Sequence, residues 1–367
     1  MKTNTLEIQG DPFTLGKQHG AAFRTAIVEY TAERVALAGS AEWTGGSATR
    51  AEVLAVAERC VAEHRDYSPR LFEELEGVAA ATDLSLAELV VSGGFTDFID
   101  TMRGMHSGSA AAMPQNGAAD DCTAFLVPAN RMADGAATLA QTWDMHEGSA
   151  EHLVLLRGRP RGAPDFIVMT TAGCLGMIGM NEAGVCVGIN NLTASDGRIG
   201  VTWPFAVRAM LEQETAAAAL DVLRKTKLAG GHNFLVLDAA GVGANVEAMP
   251  TALHEDPLLG EPIAHTNHCL ADETIAVQTP RAPEVLADSQ RRLDEARRHL
   301  SAGQFTAAEL QAITADTAAI CKVGKPPLFV GTCGGVVMIG AKREMWAVAG
   351  RPSESRYTRF SLAGAAA

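Results

Sequence analysis

A cysteine in a position suited to nucleophilic chemistry, Cys122, stands where the chain changes character. Residues 106–121 before it are small and polar with Gly and Pro, which is typical of a loop, whereas the apolar residues 124–127 predict a strand. A thiol with a pKa of about 8.5 is barely ionised at neutral pH and needs a base. Cleavage just before Cys122 would supply one, because thiol attack on the Asp121 carbonyl would free an α-amine with a pKa of about 7.7–8.0.

Two polar segments further along the chain hold side chains that could serve such a nucleophile. Gln141-Thr142-Trp143-Asp144 ends a predicted strand that pairs with the one after Cys122, and His265-Thr266-Asn267-His268 lies much later. The polar residues of both segments could instead have purely structural roles. Asp144 could cap a turn, and Asn267 could satisfy buried backbone groups.

In their order and spacing, these segments resemble the acyl-coenzyme A:6-aminopenicillanic acid acyltransferase family, a group of N-terminal-nucleophile hydrolases. The matching pieces are the GDPFTLGKQHG segment near the N-terminus, DCTAF around Cys122, QTWD, the GMNEAGVCVGINNL hairpin and HTNH. The resemblance covers nearly the whole chain. It implies a four-layer αββα sandwich preceded by a helical segment.

The resemblance also implies a role for each matching side chain. Cys122 corresponds to the nucleophile that becomes N-terminal after self-cleavage between Asp121 and Cys122. Asp144 corresponds to the carboxylate that orients the new α-ammonium and balances its charge. Asn267 corresponds to the amide that helps to hold the oxyanion, and such a donor is typically worth roughly 3–4 kcal/mol of transition-state stabilisation. The residues assigned to substrate binding are Thr123, Trp143 and Asn191.

The chain departs from the family pattern at three places. Asp121 precedes the nucleophile where Gly is usual, and Gly reaches strained backbone geometry at a lower cost. The Asp121 carboxylate is a candidate to assist proton transfer. Thr142 stands where the family usually has Asn. The family's C-terminal catalytic Arg has no assigned counterpart, with Arg351 and Arg356 as the nearby candidates.

Two other classes of function are open to this sequence. A metal-dependent hydrolase could use His265, His268 and Cys269, although this short run lacks a second cluster of ligands at useful spacing. A non-catalytic binding protein that has kept the fold is the other alternative. We assign no metal and no cofactor.

The first 105 residues are predicted to be mostly helical. Asp11-Pro12 and Ser68-Pro69 are typical helix starts, and Ser85 with Glu88 has the spacing of a capping box. Later residues predict strands and hairpins, a helix over 203–227, and then strands interrupted by helices near 285–301 and 306–316. This order indicates an α+β fold.

The composition limits the classes of partner and the compartment that the sequence favours. The chain of 367 residues has 43 acidic and 30 basic residues, a net charge of −13 that disfavours nucleic acid and anionic membranes as partners. No apolar stretch of about 18–20 residues predicts a membrane span, and the N-terminus lacks the apolar region of a secretory signal. The seven scattered cysteines favour a reducing cytoplasm.

Together these inferences predict an α chain (residues 1–121, helical) and a β chain (residues 122–367, the αββα catalytic domain) that stay together as a heterodimer. The predicted activity is that of a self-processing N-terminal-cysteine amidohydrolase or acyltransferase acting on a small N-acylated amine. An acyl-CoA-dependent N-acyltransferase, with a thioester as acyl donor, is the alternative within the same class. Assembly of further copies is left open.

Overall fold

A computed structural model describes residues 4–106, 121–301, 303–326 and 329–362. Its strands in chain order are β1 (Asn4–Gly10), β2 (Thr123–Val127), β3 (Thr138–His146), β4 (Leu153–Pro160), β5 (Phe166–Thr171), β6 (Ile178–Asn181), β7 (Cys186–Asn191), β8 (His232–Leu237), β9 (Gly243–Ala248), β10 (Leu253–Pro257), β11 (Ile263–His265), β12 (Val330–Ile339), β13 (Glu344–Ala349) and β14 (Thr358–Ser361). Its helices are α1 (Pro12–Ala22), α2 (Arg24–Ala38), α3 (Ala41–Thr44), α4 (Arg50–Tyr67), α5 (Pro69–Thr82), α6 (Leu86–Gly93), α7 (Phe95–His106), α8 (Trp203–Met210), α9 (Ala216–Lys225), α10 (Asp272–Ile275), α11 (Pro283–Leu300) and α12 (Ala307–Thr314).

The strands form two sheets packed face to face. One sheet has the order β1-β4-β5-β6-β7-β8-β9-β10, and the other has the order β11-β2-β3-β12-β13-β14. The sheets meet through β2 and β3 on one side and β7 and β8 on the other. Helices α11 and α12 cover the outer face of the six-stranded sheet, while α1 and α9 pack on the eight-stranded one, backed by α5 and α8. The predicted α+β fold, a four-layer αββα sandwich with an N-terminal helical segment, is confirmed.

Strand β3 shows how the two sheets are held in register. Its side chains alternate, so Gln141 points towards the facing sheet, where its amide exchanges hydrogen bonds with the backbone N–H and C=O of Ile189 on β7. Trp143 follows on the same face, whereas Thr142 and Asp144 point to the opposite face, towards α11. The strand therefore presents one set of side chains to the interior between the sheets and another to the helical layer.

The predicted helix starts are confirmed. The Asp11 side chain accepts from the Thr14 N–H and Pro12 is the first residue of α1, while Ser68 caps α5 in the same way. Ser85 and Glu88 form the capping box of α6. None of the helices in the described ranges is long and apolar enough to cross a membrane.

Two features differ from the sequence-based prediction. The N-terminal segment begins with a strand, β1, in which Leu6 and Ile8 alternate with polar residues, and this strand pairs in parallel with β4. The helix predicted over 203–227 is two helices, because Thr215 caps the start of α9 with its side chain.

Helices α1 and α5 approach each other closely enough that only Gly fits at the crossing. A Cβ on Gly16 would lie 1.8 Å from the Glu74 carbonyl oxygen. We expect Gly16→Ala to lower the free energy of unfolding by about 3 kcal/mol, since the backbone of α5 must move. Gly148→Ala is the control, because a Cβ there meets nothing within 4 Å. Chemical denaturation measures both, and equal stabilities would contradict the packing described.

Candidate active site

Cys122 immediately precedes β2 and is almost fully buried. Its backbone N–H donates to the Asn267 Oδ1 at 2.6 Å, so the amide bond between Asp121 and Cys122 lies against the Asn267 side chain. Asn267 comes just after β11, which pairs with β2 in the antiparallel sense. The sheet register thus brings together two residues that are 145 positions apart in the sequence.

Hydrogen bonds fix both the backbone and the side chain of Asn267. Its backbone N–H donates to the Ser289 Oγ of α11 at 3.0 Å, and its Nδ2 donates to the Asn191 carbonyl oxygen at 3.2 Å. Its Oδ1 accepts from Cys122 and also from Arg292. Because both groups facing Oδ1 are donors, the orientation of the amide is set, and Nδ2 retains a second proton for another acceptor.

Asp144 lies on the α11 side of β3 and is fully buried. Register pairs Thr123 with Thr142, and two further steps place residue 144 opposite residue 121. The Asp144 Oδ1 accepts from the Thr332 Oγ1 at 2.7 Å, whereas Oδ2 has no hydrogen-bond partner among the described residues. Burial raises the pKa of Asp144 to about 7, although the positive charge of Arg292 opposes the shift.

The largest set of polar contacts at the site belongs to Arg292 of α11, which the sequence analysis did not single out. One guanidinium nitrogen donates to the Cys122 carbonyl oxygen at 2.7 Å and to the Thr123 Oγ1 at 3.2 Å. The other donates to the Asp121 Oδ1 at 3.2 Å and to the Asn267 Oδ1 at 3.1 Å. Arg292 therefore contacts residues on both sides of the Asp121–Cys122 bond.

A second cation and a second carboxylate complete this charged cluster. Lys322 contacts the carboxylates of both Asp121 and Asp288, and Asp288 also accepts from the Arg292 Nε at 3.1 Å. Burial tends to raise the pKa of Asp288, but Arg292 and Lys322 outweigh it and hold that pKa far below its usual range. The Asp121 side chain is thus fixed between two positive charges.

The predicted candidates for a catalytic Arg lie elsewhere. Arg351 pairs with Glu354 and Glu147, and no contact with the Asp121–Cys122 region is found for Arg356 in the described ranges. A signal for Arg292 exists in the sequence, since the buried stripe of α11 falls on residues 289, 292, 293, 296 and 300, which places an arginine among otherwise small or apolar residues. A charged residue inside such a stripe needs a buried partner.

The Cys122 side of β2 opens into a narrow, partly open cavity between the sheets and the N-terminal helices. Trp143 and Asn191, both assigned to substrate binding, line it. Thr123 is not among the residues that line it, and its hydroxyl accepts from Arg292; the assignment of Thr123 to substrate binding stays a prediction. The other lining residues are mostly apolar and aromatic, including Tyr30, Phe95, Met177, Ile189 and Trp203.

The alternative metal site is not formed. His265 contacts Glu247 and the Thr266 carbonyl oxygen, and His268 contacts Ser289. Across the described ranges, the ligand atoms of His265, His268 and Cys269 do not converge, and a different trio at the α11 surface has its ligand atoms within 4.8 Å of one another: Glu295, His299 and Asp316. The HTNH segment instead builds the wall of the cysteine site.

The structure places a buried cysteine against the side-chain amide of Asn267 at the start of a strand. Sequence comparison identifies the class of protein: the chain belongs to the acyl-coenzyme A:6-aminopenicillanic acid acyl-transferase family, whose model matches residues 131–354. A relative from Emericella nidulans, the acyl-coenzyme A:6-aminopenicillanic-acid-acyltransferase 40 kDa form, is 25% identical over 272 residues, which cover 74% of this chain and 70% of the relative.

Solved structures with a similar arrangement are more distant in sequence. A mutant form of the conjugated bile acid hydrolase from Clostridium perfringens is 12% identical, with a TM-score of 0.46 over 66% of this chain and 92% of that one. Penicillin V acylase from Agrobacterium tumefaciens is 13% identical, with a TM-score of 0.40 over 66% of this chain and 86% of that one.

Proposed function

We propose that this protein is a self-processing N-terminal-cysteine amidohydrolase or acyltransferase. It cuts its own chain between Asp121 and Cys122 and then transfers acyl groups through a thioester on Cys122. The observation that carries the proposal is the set of contacts around that one peptide bond: Asn267 holds the Cys122 N–H, and Arg292 holds the Asp121 carboxylate and the Cys122 carbonyl oxygen.

The cleavage step is an acyl shift from nitrogen to sulfur. The Cys122 sulfur bonds to the carbonyl carbon of Asp121, the C–N bond breaks, and the thiol proton passes to the departing amine. Water then hydrolyses the thioester, giving a new carboxylate on Asp121 and restoring the thiol. Family members usually have Gly before the nucleophile, and Gly reaches strained backbone geometry at a lower cost than Asp. Here Arg292 and Lys322 hold the Asp121 carboxylate, and these ion pairs offset that cost.

The free α-amine then becomes the base for the thiol. Its protonated form is a cation beside Asp144, whose Oδ2 has no hydrogen-bond partner among the described residues of the intact chain. Ion pairing would lower the pKa of Asp144 and raise that of the ammonium, so the two groups titrate as a coupled pair. Asp144 thereby positions the amine that removes the thiol proton.

In the acyl-transfer step the thiolate attacks the carbonyl of an amide or thioester. The Asn267 Nδ2 donates to the oxyanion, the amine or thiol departs, and water or a second amine takes the acyl group from the sulfur. The apolar lining of the cavity suits a hydrophobic acyl group. Hydrolysis of a small N-acylated amine is the leading activity; family membership favours acyl-CoA-dependent N-acylation as the second candidate.

The two chains, of 121 and 246 residues, would remain together as a heterodimer. All seven cysteines lie in the described ranges, where they are buried and form no disulfide, which supports a reducing cytoplasm as the compartment.

Denaturing mass spectrometry of the purified protein tests the proposal, since two chains beginning at Met1 and Cys122 are expected. A single intact chain that also fails to form an acyl-enzyme with an activated acyl donor would reject it.

Asn267→Ala is expected to lower kcat by about 10²–10³-fold, because the oxyanion loses a donor that is already oriented. The substrate for the measurement is phenylacetyl p-nitroanilide, and the variant should be compared after its cleavage state is determined by mass. Asn130→Ala serves as the control, since Asn130 donates only to a surface carbonyl on Gly260. An unchanged kcat in Asn267→Ala would remove Asn267 from the mechanism.

A further inference from the structure

One polar pair stands out in the otherwise mostly apolar cavity beside Cys122. His232, the first residue of β8, lines the cavity together with Thr96 of α7. Both are buried, and the His232 Nε2 lies 3.3 Å from the Thr96 Oγ1. Among the cavity-lining residues of the described chain, His232 is the one that can carry a positive charge.

The orientation of the His232 ring is fixed by groups behind it. Its Nδ1 lies 2.8 Å from the Oδ1 of Asp97, which is fully buried on α7. The Asp97 Oδ2 accepts from the Trp203 N–H at 2.6 Å, at the start of α8, and the Trp203 ring stacks on the imidazole at 5.1 Å. The Nδ1 and Oδ1 atoms have no hydrogen-bond partner among the described residues, so their contact is close but poorly aligned, and Nε2 is the nitrogen that faces Thr96 and the cavity.

His232 is also close to the reacting groups. It lies directly across the sheet from Asn191, and the Asn191 carbonyl oxygen accepts from the Asn267 Nδ2. Cross-strand neighbours have Cβ atoms about 4.5–5.5 Å apart, so His232 lies beside the residue whose carbonyl oxygen holds the Asn267 amide. His232 and Cys122 line the same cavity.

We infer that His232 and Thr96 form a specificity subsite that selects acyl groups bearing a hydroxyl group beyond the hydrophobic part of the chain. A hydroxyl can donate to the His232 Nε2 and accept from the Thr96 Oγ1, so it replaces the 3.3 Å contact between them with two hydrogen bonds. An acyl group without that hydroxyl would bury the imidazole against hydrocarbon. Sites built to bind a hydroxyl discriminate strongly against analogues that lack it.

This inference rests on the proposed function, and it is tested with two p-nitroanilides that differ in one oxygen, those of 4-hydroxyphenylacetic and phenylacetic acid. The wild-type protein should prefer the hydroxylated substrate at least ten-fold in kcat/KM. His232→Leu should abolish or reverse the preference, and His232→Gln should retain part of it. A role confined to folding would lower both kcat/KM values together and leave their ratio unchanged, which would overturn the inference.

Two further measurements keep the test decisive. Thr96→Val removes the second partner of the substrate hydroxyl and should also reduce the ratio. This variant decides the test if His232→Leu fails to fold. His254→Leu changes a histidine that contacts Glu273 on the surface and should leave the ratio at the wild-type value. If neither substrate is hydrolysed, the leading hydrolase activity fails, and calorimetry with the two parent acetamides still decides the subsite: ten-fold tighter binding of 4-hydroxyphenylacetamide supports it, and equal affinities overturn it.

Discussion

Cys122→Ala is expected to yield one uncut chain of 38.5 kDa with no measurable amidase activity. Alanine has neither the sulfur that attacks the Asp121 carbonyl nor the thiol that would accept a substrate acyl group. Loss of a catalytic nucleophile in a related covalent mechanism lowers kcat by about 10⁶-fold, and the same order is expected here. Denaturing mass spectrometry and hydrolysis of phenylacetyl p-nitroanilide measure the two effects.

A different buried cysteine provides the matched control. Burial raises the pKa of the Cys60 thiol to about 11, so that thiol is a poor nucleophile at neutral pH. Cys60→Ala should be cut and active like the wild type. Full activity in Cys122→Ala would refute the nucleophile assignment, whereas an active wild-type protein that stays uncut would refute only the self-cleavage step.

Arg292→Met is expected to block chain cleavage and to lower the free energy of unfolding by about 3–5 kcal/mol, because it removes one of the two cations that hold the Asp121 and Asp288 carboxylates. Methionine retains most of the side-chain length but none of the donors to Asp121, Cys122 and Asn267. The scissile bond would lose its alignment as well as a charge. Denaturant unfolding gives the stability, and mass spectrometry gives the fraction cut.

The neighbouring Arg291 is a suitable control because it carries the same charge on the same helix. Its side chain is about half exposed and pairs with Asp288 at the surface. Surface ion pairs contribute about 0–1 kcal/mol, so Arg291→Met should be cut normally and remain close to wild-type stability. Equal behaviour of the two variants would show that the buried contacts of Arg292 are dispensable.

Site residues could be predicted from the sequence where their positions depend on nearby residues. Cys122 follows a segment whose composition predicts a loop, residues 107–120 of which lie outside the described residues, and it immediately precedes β2; Asp144 lies near the end of β3, so hairpin geometry places the two residues near each other. Asn267 could be singled out only through its resemblance to a family motif. The helical caps at Asp11, Ser68 and Ser85 were predictable because capping depends on residues within one turn.

Residues that reach the site through tertiary packing were not predicted. Arg292 arrives from the outer helical layer, and Lys322 arrives from the segment before β12, where its backbone N–H donates to the Thr332 hydroxyl. The position of Arg292 in the buried stripe of α11 is a weak signal, because arginine and lysine are common on surfaces and their burial depends on how layers stack. Adjacent strand residues face opposite sides, so the sequence does not say whether Cys122 or Thr123 faces the cavity.

Strand β1 affects how the protein would refold after the proposed cleavage. It belongs to the N-terminal part of the chain, yet it completes a sheet whose other seven strands all follow residue 122. If the proposed cleavage takes place, the C-terminal fragment would hold the six-stranded sheet whole, but the eight-stranded sheet would be shared between the two fragments. Melting would let the fragments diffuse apart, and recovery would then be a second-order encounter that slows on dilution. An uncut chain would refold as one molecule, so the proposed cleavage would make unfolding harder to reverse.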